Sequence, residues 1–183
     1  MSAIAVYCAS STTIPPGHLE LAAALGAAIG GRGHVLITGG GSVSMMGAVG
    51  RAARDAGGHT VGVIPRALVM MEVADHDSDE LVVVDGMRDR KAQMDDRADA
   101  FVVLPGGIGT LEEFFEVWTA ASLGMHAKPV VVLDPDGFYD PLWAWLRDLA
   151  DRGFVRRSAL AGLLLARTVV EALTAAETGR LPG

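Results

Sequence analysis

DAFVVLPGGIGTLEEFFEVWTA, residues 99–120, decides the fold. Ala100–Leu104 is a short apolar run rich in β-branched residues; Pro105 and three glycines interrupt it, and from Thr110 onward apolar residues recur at helical spacing. A buried strand, a glycine turn and an amphipathic helix, in that order, form half of a βαβ unit. Similar units repeat on both sides. Strands are expected at 4–8, 34–38, 60–64, 80–84, 100–104 and 129–133, with a weaker one at 162–166. Helices are expected at 17–30, 44–56, 87–98, 110–124, 139–151 and 168–177. Strands this apolar read as buried on both faces. The expectation is one α/β domain over residues 1–183, a Rossmann-like doubly wound parallel sheet with helices on both faces.

Composition narrows the function. A chain of 183 residues is long enough to bury a core without disulfide or structural metal. Its net charge of −7, with no basic cluster, disfavours a nucleic acid polymer as partner. Its apolar runs are too short to span a bilayer, so no membrane partner is expected. A single cysteine, Cys8, and an N-terminus without a basic region ahead of its first apolar run point to a cytoplasmic protein without a signal peptide. No metal or redox cofactor is expected, because no Cys/His cluster is present.

In open α/β sheets, ligands sit beyond the carboxyl ends of the strands. The loops leaving that edge are CASST, TGGGS, IPRA, DGMRDRK and PGGIGT, a set rich in small, hydroxyl and glycine residues with arginines among them. From them come the candidate ligand contacts Ser10, Gly40, Gly41, Met87, Lys91, Gly106, Gly107, Gly109 and Thr110. The PGGIGT glycines let backbone approach a ligand closely, and a helix N-terminus presents N–H groups to an anion. TGGGS lacks both the full GxGxxG spacing and the GK[ST] of a P-loop, and a tight ligand-free turn explains it equally well.

Two charged residues stand out. Thr110 and Glu113 fit a capping box, yet Glu113 also lies about 4.5–6 Å along the helix axis from the anion-binding N–H groups, an offset the size of a ribose. Arg90 falls in the first turn of the preceding helix, where the bland alternative is a surface salt bridge to Asp89, Asp95 or Asp96. If the strands run 3-2-1-4-5, the fourth and fifth are neighbours and Arg90 faces Glu113. Glu112 points about 100° away and reads as a solvated or structural acid. His126 reads as a residue at a helix C-terminus. Apolar residues of the 110–124 helix span roughly 160°, wider than one core contact needs, which suggests a second buried contact with a dimer partner.

MRDRKAQM (87–94), PGGIGTLEE (105–113) and GGGSVSMMG (39–47) together resemble the Lonely Guy family of cytokinin riboside 5′-monophosphate phosphoribohydrolases. The likeness runs from CASS at the first strand to GMHAKP (124–129) and DPDGFYDPL (134–142). It implies a doubly wound α/β homodimer that hydrolyses the N-glycosidic bond of AMP, or of its N6-prenylated form, to free base and ribose 5-phosphate. It also implies that Arg90 and Glu113, spaced 23 residues apart, are the catalytic pair. Some positions depart from the family pattern: Ala9 and Ser44 stand where glycine is usual, Ile108 where tyrosine is common, Met71 before Glu72 where a basic residue is frequent, and Ala127 where aspartate is common.

Three other readings compete. A non-catalytic carrier of a phosphorylated ligand, such as molybdenum cofactor, needs the glycine loops but neither Arg90 nor Glu113. A pyridoxal-dependent lysine decarboxylase needs a Schiff-base lysine and a full cofactor site, and the chain has only Lys91 and Lys128. The interrupted GxGxxG counts against a nicotinamide oxidoreductase.

Overall fold

Successive residues of the central strands are buried on opposite faces of one sheet. Ile4, Val6, Val102, Leu104, Val131 and Leu133 point into one apolar layer; Ala5, Tyr7, Phe101, Val103, Val130 and Val132 point into the other. That two-sided burial is why these strands read as continuous apolar runs. The structure, a computed structural model, describes residues 1–69, 71 and 74–182. Glu72, singled out above with Met71, lies outside them.

The elements in chain order are β1 (Ala3–Tyr7), α1 (Pro16–Gly31), β2 (Val35–Thr38), α2 (Ser44–Asp55), β3 (His59–Pro65), α3 (Arg66–Val69), β4 (Glu80–Val84) and α4 (Met87–Arg97). They continue as β5 (Ala100–Val103), α5 (Ile108–Ser122), β6 (Val130–Leu133), α6 (Asp140–Asp151), α7 (Arg157–Ala161), β7 (Leu164–Ala166) and α8 (Val169–Thr178). The one-turn helices α3 and α7 went unforeseen, being too short to show a helical period. Helices α1, α2 and α8 cover one face of the sheet; α4, α5 and α6 cover the other.

Strand order is β4-β3-β2-β1-β5-β6-β7, and every pairing is parallel. This corrects the conditional order 3-2-1-4-5. The connection after β3 is long enough for a crossover between parallel neighbours, and β4 lies beside β3 at the sheet edge, Val63 opposite Val82. The chain then returns through α4, which crosses the sheet to deliver β5 beside β1.

Helix α5 also starts earlier than expected. Its N-cap is Gly107, with no side-chain cap, so Thr110 is the third helical residue and the Thr110–Glu113 capping box does not form. A reciprocal box is present instead at α8, between Thr168 and Glu171. Phe114, Val117 and Trp118 of α5 fill the protein's own core, and Leu111, Phe115 and Ala121 pack partly against it. Trp118 donates from Nε1 to the Ala159 carbonyl at 3.0 Å, so α7 covers part of the wide apolar arc. Leu123 and Met125, just beyond the helix, are exposed.

Candidate functional site

Residues from the loops after β1 and β5 and from the helices α2, α3, α4 and α5 meet in a cleft of about 290 Å³ at the carboxyl edge. Cys8, Ala9, Ser10 and Ser11 leave β1, Leu68 comes from the segment after β3, Met87 and Arg90 belong to α4, and Gly107 to Glu113 open α5. At that helix start the first i→i−4 bond runs from the Leu111 N–H to the Gly107 carbonyl at 2.9 Å. The N–H groups of Ile108, Gly109 and Thr110 precede it and have no helical acceptor, which is the ordinary anion-binding arrangement.

Glu113 follows one turn later, roughly 4.5–7.5 Å along the axis from those groups. It is 8% exposed and Arg90 is 7% exposed. Arg90 Nη1 stands 3.3 Å from Glu113 Oε1, and Arg90 Nε donates to the Val63 carbonyl at 3.1 Å. Arg90 therefore pairs with the glutamate, rather than with Asp89, Asp95 or Asp96 at the surface. The expected meeting of the two residues occurs although β4 and β5 are not neighbours, because α4 carries Arg90 inward as it crosses the sheet.

The electrostatics of the pair are opposed. Burial pushes the Glu113 carboxyl up to about 7, and the Arg90 guanidinium pulls it back toward the ionised form. Glu112 and Glu116 raise it further, and Lys91 lowers it. Burial likewise holds the Tyr7 phenol and the Cys8 thiol above their ordinary ranges, with the Glu113 charge adding to both. Glu113 also borders a second cleft, between α4 and α5, lined by Tyr7, Lys91, Asp95 and Glu116 among others.

The remaining candidates divide. Ser10, Met87, Gly107, Gly109 and Thr110 line the cleft with the pair. Gly106 does not: it packs over the Thr110 side chain and faces a neighbouring apolar cleft with Pro15, Met45 and Phe138. Lys91 is turned toward α5, where Glu112 and Glu116 hold its ammonium and raise its pKa. Glu112, read as a solvated or structural acid, is thus the partner of that lysine. Gly40 and Gly41 lie outside the cleft lining, and their N–H groups are taken by Thr38 Oγ1 at 3.2 Å and by Met46 Sδ at 3.3 Å. His126 lies beyond the end of α5 and contacts the Val117 carbonyl through Nε2 at 3.0 Å.

Ser44, in place of a usual glycine, has a left-handed φ of 54° and donates from Oγ to the Ser11 carbonyl at 2.5 Å, tying the second loop to the first. Sequence reasoning missed Ala9, Ser11, Met46 and Leu68 as lining residues, along with Cys8, Ile108 and Glu112. The first two belonged to the loop CASST and Leu68 followed IPRA, but nothing local distinguishes lining residues from their neighbours. The Val63 carbonyl has no side-chain signature.

Comparison with known proteins places these observations in a lineage. A family described as "Possible lysine decarboxylase" matches residues 46–176. Cytokinin riboside 5′-monophosphate phosphoribohydrolase of Mycobacterium marinum is 56% identical over 176 residues, covering 96% of this chain and 94% of that one. The enzyme of the same name, LOG, from Oryza sativa is 44% identical over 168 residues, covering 92% of this chain and 69% of that one. Among solved structures, the molybdenum cofactor carrier protein of Chlamydomonas reinhardtii superposes with a TM-score of 0.70 at 25% identity, covering 96% of both chains. The molybdenum cofactor binding protein of Rippkaea orientalis has a TM-score of 0.73 at 24% identity, covering 97% of this chain and 96% of that one, a likeness of fold.

Proposed function

This chain belongs to the Lonely Guy family of cytokinin riboside 5′-monophosphate phosphoribohydrolases, and we propose that Glu113 and Arg90 carry its reaction, hydrolysis of the N-glycosidic bond of AMP or N6-prenylated AMP. The observation that carries this reading is the buried Glu113–Arg90 pair standing one helical turn behind the uncapped N-terminus of α5, in one cleft. The N–H groups of Ile108, Gly109 and Thr110 receive the 5′-phosphate. The ribose then spans the offset to Glu113.

Glycosidic cleavage passes through an oxocarbenium-like state, so a carboxylate at the anomeric carbon is more valuable in the transition state than in the ground state. Glu113 stabilises that charge and orients the water whose oxygen replaces the base nitrogen at the anomeric carbon. The proton given up by the water balances the one gained by the leaving base, and the products are free base and ribose 5-phosphate. A guanidinium is a fixed cation that offers hydrogen-bond donors and no acceptor, so Arg90 acts by charge and hydrogen bonding rather than as a general acid. It favours the ionised form of Glu113 and hydrogen-bonds the departing base or a ribose hydroxyl. Ionised Glu113 is the competent form.

A cleft of about 290 Å³ falls just under the range for small-molecule sites, roughly 300–1,000 Å³. Exposed Met87 at its mouth suits a prenyl substituent reaching outward from the base. We further propose a homodimer, with exposed Leu123 and Met125 as part of the apolar surface it covers, and a cytoplasmic location, in keeping with the unpaired Cys8. Among the described residues no helix is long and apolar enough to cross a membrane. Both lysines are engaged by carboxylates, Lys91 by Glu112 and Glu116 and Lys128 by Asp95, which gives no support to a Schiff-base role.

Incubation with AMP and with isopentenyl-AMP, followed by chromatography of the released base, tests the reading. Release of adenine or its prenylated form is expected. Binding of both nucleotides without cleavage would favour the carrier reading suggested by the molybdenum cofactor proteins of this fold.

A further inference from the structure

The loop TGGGS after β2 has the composition of a phosphate cradle, but Gly39 and Gly40 face inward, toward Arg90 and toward Val63 and Ile64. A Cβ built on Gly39 would lie 1.6 Å from Arg90 Nη2 and 2.7 Å from Cζ, so the guanidinium occupies the space a side chain would fill. The same guanidinium is held on its Nε edge by the Val63 carbonyl at 3.1 Å and meets Glu113 through Nη1 at 3.3 Å. We propose that Gly39 is a positioning residue: the loop after β2 is a socket that seats the Arg90 guanidinium against Glu113. The proposal rests on the assignment of Arg90 and Glu113 to the reaction.

The loop is built for a fixed shape. The Gly40 N–H is bound by Thr38 Oγ1, and the Gly40 carbonyl accepts from the Asp75 N–H at 2.8 Å. Gly41 pairs with Ala74 in an antiparallel bridge. Asp75 is itself buried and clamped by both terminal nitrogens of Arg54, at 2.9 and 3.2 Å. With the Gly40 and Gly41 N–H groups already satisfied, the loop is left with a steric role, and Gly39 is the point of contact.

The test is Gly39→Ala. Residue 39 has no left-handed φ, so alanine is tolerated by the backbone, and the clash falls on the movable end of Arg90. Displacing a reacting group by about 1 Å can cost on the order of 100-fold in rate. The variant is therefore expected to keep its circular dichroism spectrum and lose about 100-fold in kcat, with KM for AMP nearly unchanged. In an Arg90→Ala background the same substitution should cost nothing further. Unaltered kcat, a rise confined to KM, or an equal loss in the Arg90→Ala background would overturn the proposal.

A substrate-free readout separates this test from the proposed reaction. Carbon-13 titration of the Glu113 carboxyl should show its midpoint moved upward in Gly39→Ala, since burial then acts with less opposition from Arg90. The other charges around it, Lys91 on α4 and Glu112 and Glu116 on α5, and the neutral Tyr7 of β1 and Cys8 just after it, are untouched by the substitution. An unmoved midpoint would count against the socket even if wild-type protein cleaved neither nucleotide. Should Gly39→Ala fail to fold, Thr38→Val removes the acceptor of the Gly40 N–H without adding bulk at the guanidinium. It should produce a smaller kcat loss that again vanishes when Arg90 is absent, and a loss that persists there would overturn the proposal.

Discussion

Replacing Glu113 with glutamine should make the protein more stable at neutral pH and inactive. Burial holds the carboxyl at about 7, against 4.5 for a free glutamate, so ionising it in the fold costs roughly 3 kcal/mol more than ionising it in the unfolded chain. The sign follows from the raised folded value. Stability from this group is complete below about pH 4.5 and is lost as pH rises through about 7. Glutamine resembles the protonated acid in shape and charge and titrates nowhere. The stability of Glu113→Gln relative to wild type should thus grow by about 2–3 kcal/mol between pH 5 and pH 8. In a chain of this length that is a melting-temperature gain of roughly 5–10 °C. Thermal and urea unfolding of both proteins, followed by circular dichroism at pH 5 and pH 8, measure it. A difference that stays constant between the two pH values, or one that shrinks at pH 8, would refute the reasoning. Nucleotide hydrolysis by the variant should fall by at least about 100-fold, since the carboxylate proposed to meet the developing charge is gone.

The acid limb of the kcat/KM profile for AMP should have its midpoint near 7 in wild type and shift to higher pH in Arg90→Ala, because removing the guanidinium leaves burial less opposed; an unmoved limb would separate the two residues functionally. Ser44→Ala should cost about 1 kcal/mol in urea unfolding, keeping the left-handed backbone while losing the bond to the Ser11 carbonyl. Ser44→Gly should fall within about 1 kcal/mol of wild type, because relief of backbone strain offsets the lost bond and the added chain entropy. Gly26→Ala on α1 should destabilise by about 1–3 kcal/mol or more, since its Cβ would sit 2.1 Å from the Val49 carbonyl oxygen of α2, a backbone atom that cannot swing aside.

How much of this was legible in the sequence depends on how local each feature is. Alternating strands and helices were readable because two-sided burial makes runs such as Ala100–Leu104 and Val130–Leu133 unmistakable. The place of β4 was not, because strand order is set by how long connections cross the sheet, and no residue in Glu80–Val84 records its neighbour. Glu113 was singled out as a candidate, but its capping alternative survived until the helix start was known. Gly107 caps α5 through backbone alone, and a threonine three residues before a glutamate looks the same whether it begins a helix or lies inside one. The TGGGS loop was harder still. Glycine is required wherever another group comes close, and the sequence does not say whether that group is a ligand or, as here, Arg90.

Three strands, β3, β2 and β1, separate β4 from β5, yet the helices that follow β4 and β5 meet at the Arg90–Glu113 pair. The pair is thus an inspection mark that appears only when five strands have taken their final order. A chain stalled with β4 undocked would retain most of its helices and look nearly native by circular dichroism, while its glutamate waited without a guanidinium. With the roles proposed for Arg90 and Glu113, turnover audits the topology of this protein more strictly than its secondary structure can.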